Sequence, residues 1–336
     1  MGVTANTNQT YNSTNIREDL QDAYVSISST ECPVQAALGR KSISNTYYEW
    51  NTVDLANPAA NRVKEGEAAP GNSAPTNSKR MGNYSTISDK VVDVSTTNDA
   101  VNGAGNVQTI ASQVAFKLKE IKRDIEVMLV SNIAANAGGA DAVRVTAGLP
   151  AWLRSNVDRS TGTVDGANPT LSGTTAGFPN AAATDGSVRA LTEAMLKGVI
   201  ASCWDAGAEP SVVLCGSSVK QKISSSFTGS ATKYQDMTGK KELVAAIDVY
   251  VSDFGTLTIM PSRFLETRTA NSQTVAGRDV FVLDPEYAKV CFLQNMKQTP
   301  LAKTGHSDRR LIACEWGLQV DQESAHGIIA DIDGSL

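Results

Sequence analysis

Between Val107 and Asn136, apolar side chains recur at Val107, Ile110, Val114, Leu118, Ile121, Ile125, Met128 or Leu129 and Ile133, in steps of three and four that line one helical face. The opposite face carries Lys119, Glu120, Lys122, Arg123 and Glu126. Lys122 and Glu126 are spaced to pair across one turn, and a sign-mixed row of this kind reads as a solvated face. With Asn106 as N-cap and Gly138-Gly139 as stop, the pattern predicts a helix over 107–136, about 45 Å long at about 1.5 Å per residue. Such a rod is either a core helix or a spine across the molecule.

Ahead of it, residues 46–53 and 84–94 are aromatic and β-branched enough to be strands and are expected to pair. About thirty residues separate them, punctuated by Pro58, Gly66, Pro70, Gly71, Pro75 and Gly82. This excursion is either a linker or a two-stranded flap reaching roughly 50 Å, which would need a partner surface to be stable. Residues 1–45 are dominated by Asn, Thr, Ser and Gln and cannot build a core. They form an arm, either a loose tail or a segment that orders along a neighbouring subunit.

Downstream, 138–187 reads as loop around the apolar island Gly148–Leu153, and an amphipathic helix is expected from Val188 to Trp204 between Ser187 as cap and Gly207 as stop. A buried strand at Val212–Cys215 and a helix from near Ser218 follow, so this part is a mixed layer domain. Hairpins are expected at 249–259 around Asp253-Phe254-Gly255 and at 280–292 around Asp284-Pro285-Glu286. The alternation Ile312, Cys314, Trp316, Leu318, Val320 against Arg310, Glu315 and Gln319 predicts a half-buried strand. There is no internal repeat.

The length of 336 residues allows about two units, each able to bury a core. Hydrophobic residues make up 41% and charged residues 19%, which excludes wholesale disorder. A net charge of −5 argues against a surface dedicated to phosphates or anionic lipid. Cys32, Cys203, Cys215, Cys291 and Cys314 are an odd set without a CxxC pair, so they read as reduced core residues. No export signal, myristoylation motif or bilayer span is encoded, which leaves the sequons at Asn8 and Asn83 without meaning.

Catalytic constellations are nearly absent. His306 and His326 are not at metal-ligand spacing with each other or with Cys314. There is no GxSxG elbow, and Gly39-Arg40-Lys41-Ser42 lacks the glycines of a phosphate loop. Gly103-Ala104-Gly105 stands where a dinucleotide loop would lie, but Gln108 replaces the third glycine, so these glycines read as a turn into the long helix. Asp284 and Glu286 suit turn chemistry better than acid–base work. The expectation is a non-enzyme with no catalytic, metal or cofactor site.

The order of arm, oversized hairpin, long helix, mixed domain and returning strands resembles the major capsid proteins of tailed bacteriophages. Local stretches sharpen the likeness to a podovirus and siphovirus branch: Glu65-Gly66, 119–126, 189–193, 249–255, 283–287, 301–305 and 325–327. The resemblance implies an α+β, Hong Kong 97-type capsid fold. In it, 1–45 would be the N-arm, 46–95 the E-loop, 96–140 with 280–336 the P-domain, and 141–279 the A-domain. It implies a homo-oligomeric shell of pentamers and hexamers in the virion, assembled in the host cytoplasm. A portal protein would be a partner, decoration or cement protein a further one, double-stranded DNA a non-specific neighbour, and no membrane is involved. Relatives with a fused scaffold carry a helical stretch before the arm that is not seen here, which implies a separate scaffold or a removed prosegment. Some relatives crosslink through Lys and Asn with a Glu assisting; Lys64 and Lys79 lie in the flap, but no partner can be picked, so the resemblance gives no prediction of such a bond. Arg62, Lys64, Glu65, Lys79 and Arg80 on the flap, with Glu120, Arg123 and Glu126 on the spine, are the expected inter-subunit contacts. The rivals are a tail-tube or surface-layer subunit, which would be richer in strands, and an intracellular enzyme.

Overall fold

The alternating apolar run near the C-terminus forms the longest strand among the described residues, and the other elements are arranged around it. The computed structural model describes residues 6–14, 19, 25–56, 58–68, 75–101, 109–161, 165–173, 176–227, 247–265, 269–270, 273–274, 278–303 and 305–332. In chain order the first elements are α1 (Pro33–Ala37), β1 (Gly39–Ser42), β2 (Tyr47–Val53), β3 (Ser78–Tyr84), β4 (Thr86–Ser95), α2 (Thr96–Ala100) and α3 (Ile110–Val130). There follow β5 (Val157–Asp158), β6 (Thr170–Leu171), β7 (Pro179–Ala181), α4 (Glu193–Asp205), β8 (Val212–Cys215), α5 (Ser217–Ser226), β9 (Val249–Ser252) and β10 (Gly255–Pro261). The last are β11 (Thr269–Ala270), β12 (Gln273–Thr274), β13 (Val280–Leu283), β14 (Ala288–Pro300), β15 (Ser307–Val320) and β16 (Gly327–Ile329).

Two larger sheets result. One has the order β1-β14-β15-β4, with β1 parallel to β14 and the rest antiparallel. The other has the order β5-β16-β13-β8-β10-β9. The first packs with α3 and the island Leu149–Leu153 in one core; α4 and α5 form a second core with the other sheet.

The long helix buries the face its spacing predicted, through Val114, Ile121, Ile125 and Leu129. It is shorter than expected: 21 residues, about 32 Å. Thr109 is the cap, its hydroxyl accepting from the Ser112 amide, while the expected cap Asn106 and the Gly103–Gly105 turn lie outside the described residues. The chain leaves the helix at Ser131, seven residues before Gly138. Ser131 is buried and extended, and the Ile133 carbonyl beyond it accepts from the Gly148 amide, so tertiary bonding overrides the helical periodicity.

Strand partners also differ from expectation. β2 pairs with β3, Tyr47 opposite Tyr84 and Val53 opposite Ser78, whereas β4 pairs with β15. Ser85 separates the two, its hydroxyl donating to the Glu315 carboxylate, so the ribbon ends at Tyr84 and a new strand begins at Thr86. The ribbon's ladder has seven residue pairs, about 23 Å; the expected reach of roughly 50 Å also includes residues 54–77, of which 57 and 69–74 lie outside the described residues. The strands at 280–283 and 288–292 are likewise not a hairpin. β13, buried on both faces, sits between β8 and β16, and β14 joins the other sheet. Residues 280–283 and 327–329 therefore run in the six-stranded sheet, beside β8 and β5.

β15 is buried on both faces from Cys314 to Val320, not half-buried, because the ribbon and the segment around Arg144 cover its second side. α4 starts at Glu193 rather than Val188, with Thr192 as cap. Arg189 is held extended by its amide bond to the Asp331 carbonyl and by a 2.7 Å ion pair to Asp158. The stop is as expected: Gly207, at φ +92, lets the Gly207 and Ala208 amides close back on the Trp204 and Cys203 carbonyls. The β9–β10 hairpin around Asp253-Phe254 also forms as expected.

The chain passes between the two larger sheets at 131–156, 284–287 and 321–326. These crossings meet at one junction. The Arg154 and Ser155 amides donate to the Glu323 carboxylate, the Asn156 side chain donates to the Ser324 carbonyl, and the Asp321 amide donates to the Tyr287 carbonyl.

Candidate assembly surfaces

The root of the arm is built into the chain's own body. Pro33 opens α1, and Val34 and Leu38 are buried. The first amides of α1 have no partner inside the helix, and Glu126 of α3 supplies one: Oε1 accepts from Val34 at 2.7 Å and Oε2 from Gln35 at 3.0 Å. Burial raises the Glu126 carboxyl above its ordinary value, and these two bonds oppose the rise. The Gln35 side chain adds a 2.6 Å bond to the Lys122 carbonyl. β1 then extends the four-stranded sheet, Gly39 opposite Lys289. Residues 33–42 thus belong to the body, and the region without a core of its own is shorter than 1–45.

The root of the ribbon is seated by aromatic side chains. Trp50 lies 5.4 Å from Trp152 of the buried island, and Tyr48 stacks on Trp50 at 6.0 Å. The Tyr48 hydroxyl donates to the Leu318 carbonyl at 2.8 Å, directly over Gly317, where an added Cβ would lie 2.3 Å from it. Asn83 is fully buried, donating to Leu318 and to Thr146 and accepting from the Ala147 amide. Beneath it, Arg144 pairs with buried Glu315 and donates to the Ser85 carbonyl at 2.8 Å.

The eight charged residues singled out from the sequence divide into two groups. Arg62, Lys64 and Glu65 lie exposed beyond the ribbon's ladder. The others have partners within the chain. Arg80 pairs with Glu49 and Lys79 with Asp54 across or beside the ribbon. Glu120 meets Lys117 at 2.8 Å and Lys90 of β4 at 3.8 Å. Arg123 lies over the Phe264 ring at 5.9 Å, and Glu126 caps α1 instead of pairing with Lys122. Sequence reading missed Tyr48, Trp50, Asn83, Arg144 and Glu315; only the density of aromatics at 47–50 signalled them.

Large apolar side chains stand in solvent on the arm and the ribbon's far end: Val25, Ile27, Leu55 and Val63. A second exposed group surrounds the outermost strand of the six-stranded sheet, with Val249, Val251 and the Trp204–Phe254 ring pair at 5.1 Å. Among the described residues no cluster of three or more His, Cys, Asp or Glu is placed to hold a metal ion, and no helix is long and apolar enough to cross a membrane. The five cysteines are free; burial pushes the Cys203 and Cys314 thiols up to about 11 and those of Cys215 and Cys291 to about 12, which makes them poor nucleophiles.

Comparison with known proteins agrees with this architecture. The major capsid protein of Escherichia phage Phieco32 is 34% identical over 110 residues, a stretch covering 32% of this chain and 31% of that protein. The capsid of cyanophage A-1(L) superposes with a TM-score of 0.66 at 14% identity, over 96% of this chain and 98% of that one. Gordonia phage Cozz gives 0.63 at 10% identity, over 98% and 97%. The SrpI encapsulin complex of Synechococcus elongatus gives 0.56 at 11% identity, over 96% and 94%. These likenesses establish the Hong Kong 97-type capsid fold. The family model of the SU10 major capsid protein matches residues 3–333, nearly the whole chain, and the protein therefore belongs to the SU10 major capsid protein family.

Proposed function

We propose that this chain assembles, as pentamers and hexamers of itself, into the icosahedral head that encloses the double-stranded DNA of a tailed phage. The observation that carries the reading is the exposure of Val25, Ile27, Leu55 and Val63 on segments that have no core of their own. On a lone molecule these side chains stay in water; laid on a neighbouring copy they add interface, and a shell sums such contacts. Residues 1–32 act as the N-arm and the ribbon as the E-loop. The P-domain is built on α3 and the four-stranded sheet, the A-domain on the six-stranded sheet. The exposed Arg62, Lys64 and Glu65 meet a neighbour, and Lys79, Arg80, Glu120, Arg123 and Glu126 contribute mainly by holding the projecting elements in shape.

The role is structural rather than enzymatic and belongs to the virion, with assembly in the host cytoplasm. A portal protein and a separate scaffold are the partners expected of a head, with a decoration protein as an addition. The net charge of −5 suits a wall to which packaged DNA does not stick. Electron microscopy of the overexpressed chain, with its scaffold where one is needed, tests the reading. Closed shells support it; tubes, sheets or only small discrete particles overturn it. Within that experiment, Arg62→Glu and Glu65→Lys are expected to lower particle yield singly, and full yield from both removes the ribbon's charges from the interface.

A further inference from the structure

At the junction of the three crossings, His326 is fully buried on the crossing 321–326. Its Nδ1 accepts from the Asp284 amide on the crossing 284–287 at 3.2 Å, and its own carbonyl accepts from the Asn156 side chain on the third crossing at 3.4 Å. One residue therefore touches all three passages between the sheets. Because Nδ1 accepts, the ring proton sits on Nε2, which is buried and makes no hydrogen bond.

A second proton is disfavoured in this arrangement. It would sit on Nδ1, turn the acceptor facing the Asp284 amide into a donor, and bury a cation. The charged groups that act on the ring are Asp284 from the first crossing and Asp321 from its own, with the Tyr287 backbone carbonyl beside them; Glu323, on the same crossing, is paired with Arg154 of the third. Asp284, Asp321 and the Tyr287 carbonyl favour the charged ring, but desolvation outweighs them and lowers the His326 pKa to about 4. Asp284 is already engaged, accepting from the Glu286 amide at 3.1 Å, and Asp321 is paired with Lys289.

We propose that His326 is a proton-operated latch on the junction between the two sheets: neutral, it ties 284–287 to 321–326, and protonated, it releases them. Opening exposes the ring to water, where its affinity for a proton is that of an ordinary histidine near 6.5. The junction's opening equilibrium therefore rises as pH falls from about 6.5 to about 4, by up to about tenfold per pH unit for one proton. The inference is independent of the shell reading, since it concerns the single chain.

Hydrogen exchange of the full chain between pH 4 and 7, corrected for the intrinsic pH dependence of amide exchange, tests it. Peptides covering 154–156, 284–287 and 321–328 are expected to lose protection steeply with acid, while those in the β4–β15 ladder keep it. In His326→Asn, whose amide oxygen stands at the place of Nδ1 and can accept from the Asp284 amide but does not titrate, the slope at the junction is expected to vanish. A junction whose protection tracks the ladder in the wild-type chain overturns the proposal, as does a steep slope that persists in His326→Asn. Should that variant not fold, the wild-type comparison decides alone.

Discussion

The Glu126 carboxylate lies 2.7 Å from the Val34 amide, so a side chain near the end of the spine helix serves as the cap of a helix 92 residues earlier. An anion at the positive end of α1 satisfies two orphan amides that water would otherwise have to reach. Glu126→Ala is expected to lower stability by about 1–2 kcal/mol, in the range of a lost N-cap. Limited proteolysis is the sharper measurement: cleavage near residues 33–42 should accelerate in the variant while cleavage elsewhere stays unchanged.

The ribbon's seat rests on Trp50 against Trp152. Truncating a nearly buried tryptophan removes its transfer energy and leaves a cavity, so Trp50→Ala is expected to cost about 3–5 kcal/mol, read as a shift of the urea midpoint. Val63→Ala, at the exposed far end, should leave the midpoint unchanged.

Arg144 and Glu315 form an ion pair largely out of solvent, with Ser85 completing the set. Removing one partner strands the other, and Arg144→Ala is expected to destabilise by about 3 kcal/mol. The double variant Arg144→Met with Glu315→Leu should recover part of that loss, measurable in a double-mutant cycle.

Asp279 gives a pH signature of opposite sense to that of His326. Burial raises its carboxyl from the ordinary 3.8 to about 7, against the pull of Arg159. The folded chain then holds a proton that the unfolded chain has already lost, so this group's contribution to stability falls as pH rises from about 4 to about 7. Asp279→Asn removes that slope. The wild-type urea midpoint, taken relative to the variant's, should be lower at pH 8 than at pH 5; an equal difference at both refutes the assignment.

The parts of the fold written in local periodicity were legible in the sequence. The buried face of α3 at Val114, Ile121, Ile125 and Leu129, the hairpin at Asp253-Phe254 and the stop at Gly207 depend on neighbours a few residues away. The parts that depend on distant partners were not. Residues 84–94 read as one strand because Ser85 looks neutral until Glu315, 230 residues on, gives it a bond. Glu126 reads as a surface charge because its ligands are backbone amides, which no residue type announces. The order of elements carried the family likeness even where pairing and boundaries moved, since order survives a change of partner.

Strand position 317 has no side chain, and the Tyr48 ring lies in the space one would take. The direction in which the projecting hairpin leaves the body is thus fixed by a missing methyl group far along the polypeptide. In a lattice of identical copies, any tilt at that seat would be repeated at every site and magnified along each lever. The curvature of such a shell would then hang on a single carbon atom at a position buried inside each copy.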